Sequence, residues 1–263
     1  MSKNKIINFD EYKYFNSPEF KSSELLEEAL EAPSKNKALK LAKQALEIYP
    51  DNIDAENLIV EFEENPIKKL KKYDSIIEKA TKLLKEKSMF NKENIGNFWL
   101  ILETRPYMRA RDSKIATLLK LGRYSEAINE CEELLKLCNS DNMGIRYILV
   151  ALYSFLEKFE ECEKLYKKFN DDSIFMVFPM AIMYFKKGDY KKAKQYLKKT
   201  EEQNEFLLDF LLNENGEFLK GRMKDYYSYE SEEEAFLIIN DLMYLIASVP
   251  YFVYFIQMEY RKK

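Results

Sequence analysis

The chain has 263 residues, of which 46% are hydrophobic and 33% are charged, and its formal net charge is −3. This composition is too apolar for a disordered chain, and the small negative charge predicts no strong attraction to the phosphates of nucleic acid. Histidine is absent, so the commonest general base and the commonest zinc ligand are both missing. The three cysteines, Cys131, Cys138 and Cys162, have no CxxC spacing and indicate neither a disulfide framework nor a zinc site. We therefore expect a cytoplasmic protein without a metal or another cofactor.

The N-terminal stretch predicts a short arm followed by a helix. Residues 1–17 lack the apolar core of a signal peptide, and we expect them to form the arm. Ser17 followed by Pro18 marks a helix start, because serine can accept a hydrogen bond from a free backbone N–H and proline has no N–H to leave unpaired. Helix is also the default further on, since six glycines and seven prolines are few for a chain of this length.

Two less regular pairs of helices precede the middle of the chain. Residues 18–52 fit a first helix followed by KALKLAKQALEIYPDN, whose alanines share one side of a second helix. Residues 53–88 fit another pair, with a break at Asn65 and Pro66 and a lysine-rich amphipathic helix after it. We predict that both segments are degenerate copies of one repeat.

Three clearer copies follow at 108–141, 142–172 and 173–204. Their aligned cores are LLKLGRYSEAINECEELLKL, YSFLEKFEECEKLYKKF and YFKKGDYKKAKQYLKKT, at offsets of 35 and 31 residues. Gly122, Glu157 and Gly188 share the turn position, Tyr124, Phe159 and Tyr190 follow it, and Ala127, Cys162 and Ala193 come next. This pattern predicts a helical hairpin with a left-handed turn residue, an aromatic residue after the turn and a small residue where the helices touch. One hairpin cannot bury its apolar face alone, so stacking of neighbours is expected.

The turn signature Gly-x-Tyr-x-x-Ala at 122–127 and 188–193 resembles that of the tetratricopeptide repeat (TPR). The segments NFWLILETRPYMRARDSKIATLLKLGRYSEAI, SDNMGIRYILVAL and SEEEA further resemble the suppressor-of-tumorigenicity-seven-like subgroup, over roughly residues 70–247. The resemblance implies an all-α fold, a right-handed superhelix of about five antiparallel hairpins, as one TPR-like α-solenoid domain over 18–262. No enzymatic activity or cofactor is established for the subgroup, so it also implies a non-catalytic protein.

The C-terminal part is predicted to form a capping pair of helices over 231–262. Ser231 and Glu234 form a capping-box pattern before an apolar run, and Pro250 starts the last helix. Residues 235–258 are long enough to span a membrane, but Asn240, Asp241 and Pro250 within them favour two packed helices instead. An exposed apolar patch on the last helix would indicate self-association.

Five of the seven arginines lie between residues 105 and 146. TPR first helices line a concave groove, so the resemblance implies a groove that is basic at one end and aromatic at the other. The predicted peptide-binding residues are Arg105, Arg109, Arg111, Asp112, Arg146, Tyr147, Phe155, Phe175, Phe178 and Phe185. Such a groove suits a peptide that carries a carboxylate near an apolar residue. In the alternative interpretation, the arginines pair with Glu103, Asp112 or Glu126 to fix hairpin docking, and each phenylalanine belongs to the core.

These observations predict a non-catalytic scaffold that binds a protein or peptide of unknown identity. The alternative is a nucleic-acid or nucleotide-binding solenoid that uses the same arginine and aromatic surface, although the net charge makes nucleic acid a poor partner. Glutamate pairs such as Glu132 with Glu133 suggest no catalysis, because paired carboxylates on helix surfaces are ordinarily ion-pair partners.

Overall fold

The structure is a computed structural model that describes Lys13, residues 15–212 and residues 227–260. These residues are helical apart from turns, loops and two isolated bridge contacts, which confirms the all-α class. The predicted arm lies mostly outside the described residues, as do residues 261 and 262 of the predicted capping pair. The chain divides into two compact units, a first unit up to Asn142 and a second unit from Met143.

The first unit is built from three helical hairpins of the TPR-like kind. Its helices are α1 Pro18–Leu30, α2 Lys35–Ile48, α3 Ile53–Glu61, α4 Pro66–Glu86, α5 Arg105–Lys120 and α6 Tyr124–Leu137. Consecutive helices pair as α1 with α2, α3 with α4, and α5 with α6. The first hairpin begins where the sequence predicts it, since Ser17 Oγ accepts a hydrogen bond from Phe20 N at 3.1 Å. Ala38, Ala42 and Ala45 are buried along α2, so small side chains allow it to approach its neighbours closely.

The turn residues adopt the predicted left-handed conformation in all three clear repeats. The φ angles are 68° at Gly122, 60° at Glu157 and 80° at Gly188. Ala127, Cys162 and Ala193, the small residues that follow, are fully buried. Glutamate occupies the second turn against the preference of residues with a Cβ atom for negative φ.

An irregular segment connects α4 to α5 in the first unit. It contains two short 3₁₀ turns, Phe98–Leu100 and Leu102–Thr104. Gly96 ties it to the end of α6, because Gly96 N donates to Leu137 O at 3.0 Å and Gly96 O accepts from Asn139 N at 2.8 Å. A Cβ atom at Gly96 would lie 2.5 Å from the Asn139 side chain. Glycine at this position therefore holds the segment against α6.

The second unit continues with two hairpins and a group of C-terminal helices. Its helices are α7 Ile145–Phe155, α8 Phe159–Phe169, α9 Ile174–Lys186, α10 Tyr190–Gln203, α11 Glu205–Leu212, α12 Glu232–Asp241, α13 Met243–Ala247 and α14 Pro250–Tyr260. The sequence did not predict α11, which packs Leu207 and Leu208 into a core shared with Ile238 of α12 and Phe252 of α14.

The first helix of the predicted capping pair, which starts after Ser231, breaks at Leu242 into α12 and α13. Its start agrees with the prediction, because Ser231 Oγ accepts from Glu234 N at 3.1 Å. Glu234 itself is buried and accepts from Glu230 N at 2.8 Å and from Asn204 Nδ2 at 3.0 Å. This second contact joins α12 to the junction between α10 and α11, a long-range role that the capping pattern does not reveal.

Candidate functional site

The three predicted arginines of the first unit all bind other parts of that unit. Arg105 donates from Nε to the Trp99 carbonyl at 2.8 Å and lies 5.4 Å from the centre of the Trp99 ring. Arg109 forms a bidentate ion pair with Asp54, in which Arg109 Nε lies 2.9 Å from Asp54 Oδ1. This pair joins α5 to α3.

Arg111 connects the two helices of its own hairpin. Its guanidinium donates to Glu130 on α6 at 2.5 Å, and Lys114 donates to the other oxygen of Glu130 at 2.8 Å. Lys114 also pairs with Asp74 on α4 at 2.8 Å. The side chains of Arg111, Lys114 and Glu130 are each less than one-fifth exposed, so these charges stabilise packing between helices.

Asp112 forms no hydrogen bond or ion pair with any residue that the structure describes. Burial raises the pKa of its carboxyl group, and the Glu61 carboxylate raises it further. The Glu61 carboxylate accepts a hydrogen bond from the Tyr73 hydroxyl and another from Lys69 Nζ, the latter at 2.9 Å. Asp112 carries no positive charge to attract an anionic ligand, and its burial limits contact with any ligand at the surface.

In the second unit, Arg146 and Tyr147 both bind Asp171. Arg146 Nε and Tyr147 Oη each donate to Asp171 Oδ2 at 2.9 Å, and Ser173 N donates to Oδ1 at 2.8 Å. Burial alone would raise the pKa of Asp171, but the hydrogen bonds from Ser173, Arg146 and Tyr147 lower it overall. Arg146 also lies 5.4 Å from the centre of the Phe169 ring. The start of α7 is thus fastened to the loop that begins α9.

The predicted aromatic contacts pack within the second unit. Phe178 is fully buried against Phe252, with ring centres 6.3 Å apart, so the expectation that it contacts a ligand at the surface is wrong. The physical reason is that α14 covers it. The other three phenylalanines are half-buried: Phe155 contacts Tyr244, Phe175 contacts Tyr147, and Phe185 contacts Phe252 and Phe255.

The arginine partners differ from those in the alternative interpretation. Glu103 and Asp112 bind no arginine among the described residues, whereas Glu126 pairs with Arg123 as expected. The actual partners of the other arginines include Asp54, Glu130 and Asp171, which lie between 19 and 55 residues away in the sequence. No local spacing pattern could have identified them.

The first unit contains a cleft of about 540 Å³, which we call the N-terminal cleft. It is lined by α1, the junction between α2 and α3, the second half of α4, and the segment from Leu102 to Tyr107. Its volume falls in the range of about 300–1,000 Å³ that is usual for ligand sites. The buried lining residues are apolar: Ile53, Ala80, Leu84 and Tyr107.

Carboxylates predominate among the charged groups of the N-terminal cleft. Four line it, Glu19, Asp51, Asp54 and Glu103, together with a single lysine, Lys87. Asp54 is paired with Arg109, and Asp51 lies 3.4 Å from Lys79. Glu19 and Glu103 are exposed and form no ion pair with any described residue. Burial raises the pKa of Tyr49, which also lines the cleft, and the Glu19 and Asp51 carboxylates raise it further, whereas Lys79 lowers it.

An exposed leucine stands at the mouth of this cleft. Leu102 has 68% of its surface exposed and lines the cleft, whereas Leu100 in the same segment is 61% exposed and does not. The cleft leaves no local pattern in the sequence, because its charged residues are scattered from position 19 to position 103. Asp51 and Asp54, which flank the start of the predicted pair at residue 53, and Glu103 were the available signal.

Among the described residues, no group of three or more histidine, cysteine, aspartate or glutamate side chains is placed to hold a metal ion. No helix in the described ranges combines the length and the apolar character needed to cross a bilayer.

Comparison with known proteins gives a structural similarity at low sequence identity and no family. No family model matches the chain, and no curated protein matches it. Among solved structures the chain is similar to "MamA RS-1 ArsTM double mutant", with a TM-score of 0.49 and 19% sequence identity. The alignment covers 72% of this chain and 95% of the other.

Proposed function

We propose that this protein is a non-catalytic scaffold that binds a segment of a partner protein. Repeated helical hairpins of this kind present extended binding surfaces rather than closed catalytic pockets. The observation that carries the proposal is the N-terminal cleft, which combines an apolar interior with an exposed charged rim. An apolar side chain enters such an interior, while polar groups on the rim orient the rest of the segment.

The groove residues predicted from the sequence, apart from the buried Phe178, remain a prediction for partner binding. Arg109, Arg111 and Arg146 each have a carboxylate partner within the chain, so an anionic ligand would have to compete with that partner. The same pairing gives no support to nucleic-acid binding through these arginines, because a phosphate would meet the same competition.

A selection from random dodecapeptides tests the proposal. The full chain is immobilised and compared with Ser23→Trp, which places a bulky ring in the cleft from an exposed position on α1. The matched control is Glu24→Trp, at the next position on α1 and outside the cleft lining. We expect the wild type and the control to enrich one shared motif and Ser23→Trp to lose it. Failure of the wild type to enrich any peptide, or unchanged enrichment with Ser23→Trp, would refute the proposal.

A further inference from the structure

We propose that the N-terminal cleft binds a basic segment of a partner protein in which lysine or arginine residues flank an apolar residue. This inference rests on the proposed function and specifies the chemistry of its ligand. The reasoning combines the charge of the rim, the apolar lining and the internal pairing of the neighbouring arginine.

The rim offers two carboxylates on different structural elements. Glu19 lies in the first turn of α1, and Glu103 lies in the 3₁₀ turn that precedes α5. Because neither forms an ion pair with a described residue, a cationic side chain that binds there displaces no partner in the described part of the chain. Complementary charges across an interface favour the partner that carries them and disfavour one of the same sign.

The apolar part of the cleft gives the segment an anchor between its charges. Leu102 is exposed at the mouth, and Leu26 and Leu83 are partly exposed in the lining. Burying these side chains under an apolar residue of the partner removes hydrocarbon surface from water. A small polyamine would use the carboxylates but would gain little from these leucines.

Arg109 distinguishes this site from the groove predicted from sequence. Its ion pair neutralises Asp54, the lining carboxylate at the start of α3. If Arg109 binds an anionic ligand directly, then Arg109→Gln must weaken binding. If the cleft binds a cationic segment, then Arg109→Gln frees the charge of Asp54 and must strengthen binding.

The experiment uses two labelled peptides of equal length, one alternating lysine with leucine and the other alternating glutamate with leucine, titrated against the full chain. We expect only the lysine peptide to bind, and the double variant Glu19→Gln with Glu103→Gln to bind it about tenfold more weakly, as expected for two exposed ion pairs. The matched control, Glu24→Gln with Glu28→Gln, removes the same charge from α1 outside the lining and is expected to have little effect. Arg109→Gln is expected to bind about threefold more tightly, since one further carboxylate becomes available.

A leucine pair tests the apolar anchor. Leu102→Ala is expected to weaken binding of the lysine peptide about threefold, because an exposed side chain that closes over a ligand contributes only part of its full burial. Leu100→Ala, which alters a similarly exposed leucine outside the lining, is expected to leave binding unchanged. Melting curves followed by circular dichroism check that every variant is folded.

The outcomes separate this inference from the proposed function. Selected peptides that bind the cleft but lack cationic residues would overturn the inference and leave the scaffold proposal standing. Equal loss in the Glu19/Glu103 and Glu24/Glu28 variants, or weaker binding by Arg109→Gln, would also overturn it. Binding of the lysine peptide only after removal of residues 1–12 would identify that segment, which contains Lys3, Lys5 and Ile6, as the occupant instead. Binding of spermine with the affinity of the lysine peptide would show that the apolar anchor is not used.

Discussion

Removing the Asp171 carboxylate tests whether Arg146 stabilises the fold through its ion pair or serves to bind a ligand. Asp171 accepts hydrogen bonds from Arg146 Nε and Tyr147 Oη at 2.9 Å and from Ser173 N at 2.8 Å. In Asp171→Ala all three donors lose this acceptor, and the largely buried guanidinium of Arg146 loses its ion pair with Asp171. The side chains of Arg146 and Asp171 are 19% and 20% exposed.

The expected loss in the free energy of unfolding follows from the burial of this ion pair. Breaking a fully buried ion pair costs about 3–5 kcal/mol, and the remaining contact with water reduces this to about 2–3 kcal/mol here. With a urea dependence of about 1–3 kcal/mol per molar, the unfolding midpoint should fall by about 1 M. Arg146→Ala should destabilise by a similar amount, and the double variant should show a coupling of about 1 kcal/mol or more, because the two groups are in direct contact.

Urea unfolding followed by far-ultraviolet circular dichroism measures these changes. Glu126→Ala is the matched control, since it removes the exposed pair with Arg123 on the surface of the first unit and should shift the midpoint little. If the unfolding midpoint of Asp171→Ala shifts no more than that of the control, the conclusion that Arg146 stabilises the fold is refuted. Such a result would mean that the network contributes nothing to stability, as expected if Arg146 is held for a ligand.

Three other predictions concern the turns, acid and the cysteines. Glu157→Gly should stabilise the protein by about 0.5–1 kcal/mol, because glycine adopts the observed φ of 60° without strain. Gly122→Ala should destabilise it by about 1 kcal/mol through backbone strain alone, because the added Cβ atom meets no atom within 4 Å. Urea unfolding midpoints measure both changes. Because the pKa of Asp171 is lowered in the folded protein, its carboxylate stabilises the fold above the unfolded pKa of about 4, and this effect is lost as the pH falls through the folded pKa. In Asp171→Asn the free energy of unfolding should therefore depend less steeply on pH below about pH 4. Burial raises the pKa of both the Cys131 and the Cys162 thiol, so iodoacetamide should label neither until urea unfolds the chain; rapid labelling of the native protein, detected by mass spectrometry, would contradict the buried placement.

The sequence by itself determined the hairpin repeat and its local geometry. The start of α1 at Pro18, the left-handed turns at Gly122 and Gly188, and the buried small residues after them all follow from rules that act within a few residues. Even the unusual Glu157 was placed correctly, because the period of the repeat located the turn without a glycine.

Only the tertiary structure decided which charges meet. Arg109 pairs with Asp54 across two helices, and the N-terminal cleft joins residues from Glu19 to Tyr107. Side-chain pairing depends on how helices dock, and hairpin periodicity leaves the choice among many exposed carboxylates open. The break at Leu242 and the burial of Phe178 have the same origin, because each depends on packing against elements distant in sequence.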